Sequence, residues 1–127
     1  MAMLKPVILI IDDERPYVDL LGELLEKYGL EAQTAYDAGD ALFRLRARKP
    51  DLILMDLKMP QMDGLSLIDR LRSERKWQKI PIIVVSAKTG REDQKAALDA
   101  GANRFLSKPF SSKDLKSVLG EFVAITG

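Results

Sequence analysis

Val7-Ile8-Leu9-Ile10-Ile11-Asp12-Asp13-Glu14 is the stretch that decides the fold. Five apolar residues in a row carry none of the in-out alternation of a strand with one wet face. They suit a strand covered on both sides, the usual condition of a parallel sheet. Three acids follow at once, so the chain leaves this strand through a dense patch of negative charge.

Working outward, four further β-rich apolar runs appear at 32–35, 52–55, 80–85 and 104–106. Three of the five are almost continuously apolar. Helical patterns fill the gaps. After the first run, Pro16 stands where a first-turn proline belongs, Val18, Leu21, Leu25 and Tyr28 keep one face, and Gly29 suits a C-terminal cap. After the second, Asp37 suits an N-cap, Ala38, Ala41, Leu42 and Leu45 form the stripe, and Pro50 ends it. After the third, Asp63-Gly64 reads as a turn, followed by Leu65, Ile68 and Leu71. After the fourth, Thr89 and Glu92 have capping-box spacing and Gly101 closes the helix. After the fifth, Ser111 or Ser112 caps a helix that turns Leu115, Val118, Leu119 and Phe122 inward. Strand and helix thus alternate five times, which predicts an α/β fold with a parallel sheet and helices on both faces. Five strands of this kind favour the flavodoxin-like order 2-1-3-4-5, and the whole of 1–127 reads as one domain. The 70–79 stretch reads as a solvated helix end and loop, with Trp77 half-buried near the entrance to the fourth strand.

Ligands of such sheets bind beyond the carboxyl ends of the strands. Those ends carry Asp12-Asp13-Glu14, Asp56, Ser86-Ala87 and Ser107-Lys108-Pro109. Strands 1 and 3 are neighbours in the predicted order, so three carboxylates meet, with a hydroxyl and an ammonium arriving from strands 4 and 5. Carboxylates held this close repel unless a cation intervenes. An all-oxygen set without His or Cys suits Mg²⁺. A carboxylate beside Mg²⁺ is also a nucleophile toward phosphorus, and a lysine and the metal neutralise the phosphoryl oxygens. Each residue has a plainer reading. The paired acids favour a helix N-terminus, Asp56 suits a turn, Ser86 suits a cap, Lys108 suits a surface and Phe105 suits a core. The convergence of all of them on one edge is what favours chemistry.

Composition narrows the alternatives. The chain has no cysteine and no histidine, which excludes disulfides, thiolate catalysis, Ser-His triads and His- or Cys-ligated metals. Twenty basic and 19 acidic side chains leave a formal charge of +1, and give no electrostatic reason to expect nucleic acid or a membrane as partner. No apolar run approaches the ~20 residues of a membrane span, and the start shows no signal-peptide pattern, so a cytoplasmic protein is expected.

At this point the residues resemble a family. Ile10-Ile11-Asp12-Asp13-Glu14, Leu54-Met55-Asp56-Leu57-Lys58-Met59-Pro60, Met62-Asp63-Gly64, Val84-Val85-Ser86-Ala87 and 101–110 (GANRFLSKPF) stand in the order and at the intervals of bacterial response regulator receiver domains. The resemblance runs from about Lys5 to Phe122. It implies that Asp56 accepts a phosphoryl group from a histidine kinase or histidine phosphotransferase. Asp13 would ligate Mg²⁺, Asp12 would hold a metal-bound water, and the Lys58 backbone carbonyl would be a further metal contact. Ser86 and Lys108 would bind the phosphoryl oxygens. Phe105 would be the aromatic that follows the strand-4 hydroxyl inward, and Lys108-Pro109 would be a cis peptide. Lys58 and Lys88 fill the variable positions, two residues after Asp56 and Ser86, that tune phosphate loss. The output would pass through helix 4, strand 5 and helix 5 to a downstream protein or an attached output domain, with a phosphorylation-dependent dimer as one form. Apart from its own phosphorylation and dephosphorylation, no enzyme activity is expected. Two other classes stay in view. A haloacid dehalogenase-like phosphatase would need an acid at position 58, where the chain has Lys58. A receiver acting only as a phosphorylation-independent binding module typically lacks one of the acids or the lysine, and this chain keeps them.

Overall fold

The structure, a computed structural model, describes residues 4–59, 63–87 and 89–127. Pro60, Met62 and Lys88, named above, lie outside the described residues. Among those described, strands and helices alternate as β1 (Val7–Ile11), α1 (Arg15–Lys27), β2 (Glu31–Ala35), α2 (Ala38–Ala47), β3 (Leu52–Met55), α3 (Gly64–Ser73), β4 (Ile82–Ser86), α4 (Arg91–Ala100), β5 (Arg104–Ser107) and α5 (Ser112–Gly120). The strands form one parallel sheet in the order β2-β1-β3-β4-β5, the flavodoxin-like order.

The continuous apolar runs end up where they were expected. β1, β3 and β4 are buried along their whole length and occupy the centre of the sheet. The edge strands β2 and β5 carry the mixed sequences. Two cores result. Val18, Leu21, Leu25, Leu115 and Leu119 of α1 and α5 pack on one face of the sheet. Ala41, Leu42, Leu45, Leu67, Ile68, Leu71 and Ala97 of α2, α3 and α4 pack on the other. Burying such side chains stabilises by roughly 1.5–3 kcal/mol each.

Several local expectations need correction. β4 begins at Ile82 rather than Ile80, because the Ile80 amide closes a turn onto the Trp77 carbonyl at 3.1 Å. Thr89 and Glu92 do not form a capping box; the N-cap of α4 is Gly90, with no side-chain cap bond. Asp63 is more than a turn residue: its carboxylate accepts the Ser66 amide at 2.8 Å and caps α3. Of the two serines, Ser111 caps α5. Phe122 lies just past the end of α5 and is only partly buried. Trp77 is 2% exposed, so it is core rather than half-buried.

The 70–79 stretch is also less solvated than its charge suggests. Arg72 folds back and donates to the carbonyls of Gln78 (3.0 Å), Ile80 (2.8 Å) and Gly101 (3.0 Å) and to Asn103 Oδ1 (3.0 Å). Asn103 Oδ1 also accepts the Ile82 amide at 2.9 Å. One guanidinium, planar and rich in donors, thereby ties the end of α3 to the start of β4 and the end of α4. Gly101 has φ +124, and a Cβ there would come within 2.7 Å of Arg72 Cγ, so glycine is required on both counts.

Candidate functional site

The parallel ladder extends one residue past each strand end and sets the acids side by side. The Asp12 amide donates to the Ala35 carbonyl (3.0 Å) and the Asp56 amide to the Ile11 carbonyl (2.9 Å). On the other side, the Lys108 amide donates to the Ser86 carbonyl at 2.9 Å. Backbone geometry therefore brings Asp12, Asp56, Ser86 and Lys108 to one edge, and these four are the buried polar and charged residues among those described.

Lys108 Nζ sits at the centre. It donates to Asp12 Oδ2 at 2.8 Å, Asp56 Oδ2 at 3.0 Å and Glu14 Oε1 at 3.0 Å. An ammonium has three N–H groups, so these carboxylates use them all. The face of the Tyr17 ring lies over it, 4.2 Å from Nζ to the centroid. The remaining carboxylate oxygens are also held: Asp12 Oδ1 accepts the Glu14 amide at 2.9 Å, and Asp56 Oδ1 accepts the Lys58 amide at 3.1 Å. Burial pushes the Asp12 carboxyl above its ordinary value of 3.8, against the opposing pull of Lys108 and the Glu14 amide, and nearby Asp56 adds to the rise. For Lys108, burial alone would lower the ammonium's pKa. The bonds to Asp12, Glu14 and Asp56 outweigh it, and the pKa is raised from 10.5.

The acids still outnumber the cation. Carboxylate oxygens of Asp12, Asp13 and Asp56 lie within 4.8 Å of one another, with Asp13 exposed at the mouth. Oxygen donors alone, in a cluster whose negative charge exceeds that of its one ammonium, fit Mg²⁺. The backbone at Lys58 lies against this cluster through its amide, while the Lys58 side chain is exposed. Ser86 is buried at the end of β4. Phe105 is half-buried in β5, pairs in register with Val84, and packs on the core under α2, α3 and α4. The Lys108-Pro109 peptide is cis, as the resemblance implied. Of the groups around Lys108, the sequence reading placed Glu14 at this edge without a role and missed Tyr17. Their i, i+3 spacing at the start of α1 places them on one helix face, a signal that was present but had no partner in sequence to give it meaning.

The family model described as response regulator receiver domain matches residues 8–120. The chain belongs to that family. This receiver is similar to the chemotaxis response regulator CheY4 of Vibrio cholerae, with 26% identity, a TM-score of 0.88, and coverage of 94% of this chain and 100% of the other. It is similar to the receiver domain of a sensor histidine kinase from Pseudomonas aeruginosa, solved with magnesium coordinated in its active-site cleft (27% identity, TM-score 0.86, 94% and 98% covered). It also resembles NtrX from Brucella abortus at 30% identity and TM-score 0.87, covering 94% of this chain and 27% of that one. The same receiver fold thus occurs alone, within a kinase and within a longer regulator. This chain is a receiver domain of two-component signalling, and its own three-acid cluster has the oxygen donors that suit Mg²⁺. No helix among the described residues is long and apolar enough to cross a membrane.

Proposed function

We propose that this receiver is a phosphorylation switch in which Asp56 takes a phosphoryl group from the phosphohistidine of a histidine kinase or histidine phosphotransferase. The observation that carries the reading is the setting of Asp56. It is a buried carboxylate at a strand end, oriented through both oxygens by the Lys58 amide and Lys108, with carboxylate oxygens of two further acids within 4.8 Å. A carboxylate oxygen attacks phosphorus, the O–P bond forms, and the N–P bond breaks with its electron pair passing to the imidazole. No general base is needed, because an ionised carboxylate attacks without losing a proton. Lys108 neutralises a phosphoryl oxygen, and Ser86 is positioned on the adjacent strand to donate to another. Mg²⁺, which Asp13, Asp56 and the Lys58 carbonyl would hold directly and Asp12 through a bound water, would supply the charge that makes a second anion tolerable among these acids.

The chain has no histidine, so the donor lies outside these 127 residues. An apolar hollow of about 260 Å³ lined by Pro16, Tyr17, Leu20, Pro109 and Phe110 borders Lys108 and offers the donor a seat. The output surface is α4, β5 and α5, through which a downstream protein, an attached output domain or a second copy would read the state. There Leu98 is exposed and Arg104 pairs with Glu121 at 2.8 Å. The function is a cytoplasmic relay, with self-phosphorylation and self-dephosphorylation as its own chemistry.

Intact mass after incubation with Mg²⁺ and acetyl phosphate tests the reading, with Asp56→Asn alongside. A gain of one phosphoryl group that needs Mg²⁺ and is lost in the variant is expected. A folded wild-type chain that takes up neither phosphate nor beryllofluoride would instead be a phosphorylation-independent binding module.

A further inference from the structure

Glu14 stands at the N-cap of α1, where Ser, Thr, Asp or Asn would ordinarily bond the first free amides. Its side chain makes no such bond. It turns to the site instead and takes one of the three N–H groups of Lys108, at 3.0 Å. Its backbone carbonyl does the local work, accepting the amides of Tyr17 (3.0 Å) and Val18 (3.1 Å). One turn on, Tyr17 lays its ring over the same ammonium and packs beside Phe110, the ring centroids 6.1 Å apart. The start of α1 is therefore spent on Lys108 rather than on its own cap.

Asp12 and Asp56 are nearly fully buried, but the Glu14 side chain is 52% exposed. Of the three carboxylates on Lys108, it is the one that water can take over. An arriving phosphoryl oxygen needs an ammonium N–H, and Glu14 is the partner whose release costs least. We infer that Glu14 is a positioning residue that occupies Lys108 in the resting state and competes with the phosphoryl group for it, setting how readily Asp56 is modified. This rests on the phosphoacceptor reading above. Its charge acts with opposite sign on the two ligands of the site: it attracts Mg²⁺ and repels the anion bound to Asp56.

The test is Glu14→Gln, which keeps size and removes charge, with two affinities measured on the full chain. Magnesium alone is titrated by calorimetry, and beryllofluoride is titrated by fluorine NMR at saturating Mg²⁺. Beryllofluoride is expected to bind roughly two- to fivefold more tightly, the range for removing one half-exposed ionic contact, and Mg²⁺ more weakly. A residue that only shaped the start of α1 would move both affinities the same way or neither. Any pattern other than tighter beryllofluoride with weaker Mg²⁺ overturns the inference and leaves the phosphoacceptor reading standing. A wild-type chain that binds no beryllofluoride overturns both.

Discussion

Lys108 is the residue on which the site turns, and its substitution separates the electrostatics from the fold. The ammonium satisfies two buried carboxylates at once, and removing it would leave both without their countercharge. Lys108→Met is expected to lower stability without metal by on the order of 3 kcal/mol, the usual cost of breaking a buried pair. Urea unfolding with and without Mg²⁺ checks this: the metal should restore much of the loss, and unchanged metal-free stability would refute the picture. The pH dependence follows from the two shifted groups. Asp12 has a folded pKa above 3.8, so only between 3.8 and its folded value does the native state keep a proton that the unfolded chain has lost. Its contribution is present below 3.8 and is lost as pH rises through the folded value. Lys108 is shifted up as well, so its contribution is complete below 10.5 and disappears only in strong alkali, as pH passes its folded pKa. Asp12, Asp56, Ser86 and Lys108 could be read from sequence because each follows an apolar run. Glu14 could not, because nothing in the sequence says that a helix-start acid will turn away from its own helix.

At the scale of elements, the helices differ mainly in how they begin. α2, α3 and α5 start on side-chain caps, with Asp37, Asp63 and Ser111 accepting amides at 2.7, 2.8 and 3.0 Å. α1 and α4 have none, and these are the helices beside the acid cluster and on the proposed output surface. α1 also carries Gly22 in its interior, where an added Cβ would meet nothing within 4 Å. Gly22→Ala is therefore expected to stabilise the fold by about 0.5–1 kcal/mol without touching the site. A rise in the urea midpoint at unchanged slope, with unaltered phosphorylation, is the expected result; a fall would mean that α1 needs the glycine for another reason. The central strands were legible because both their faces are covered, which leaves a continuous apolar signature. The start of β4 was not, since Ile80 is as apolar and as buried as the strand it precedes, and only its turn hydrogen bond sets it apart. The burial of Trp77 was hidden for a related reason. Arg72 holds the loop around it through backbone carbonyls, which have no letter in a sequence.

For the molecule as a whole, the sheet divides two cores, and its middle strands belong to both. Native-state hydrogen exchange should therefore find its slowest amides in β1 and β3, with β2 and β5 opening more readily. Uniform protection across the five strands would contradict a fold held from its centre outward. The alternation of elements predicted a parallel sheet, the flavodoxin-like pattern supplied the strand order, and that order located the cleft by bringing the acids together. What it left out were the tethers between distant loops, of which Arg72 is the clearest. That tether gives α4 a mechanical character. The helix is pinned where Arg72 grips Gly101 and is uncapped at Gly90, the end nearer the phosphoacceptor strand. Its ten residues make a rigid arm about 15 Å long at roughly 1.5 Å per residue, so a tilt of ~10° about the pin carries the loose end through about 2.6 Å. Under the proposed switch, a displacement beside Ser86 is expected to move that loose end while the end held by Arg72 stays in place.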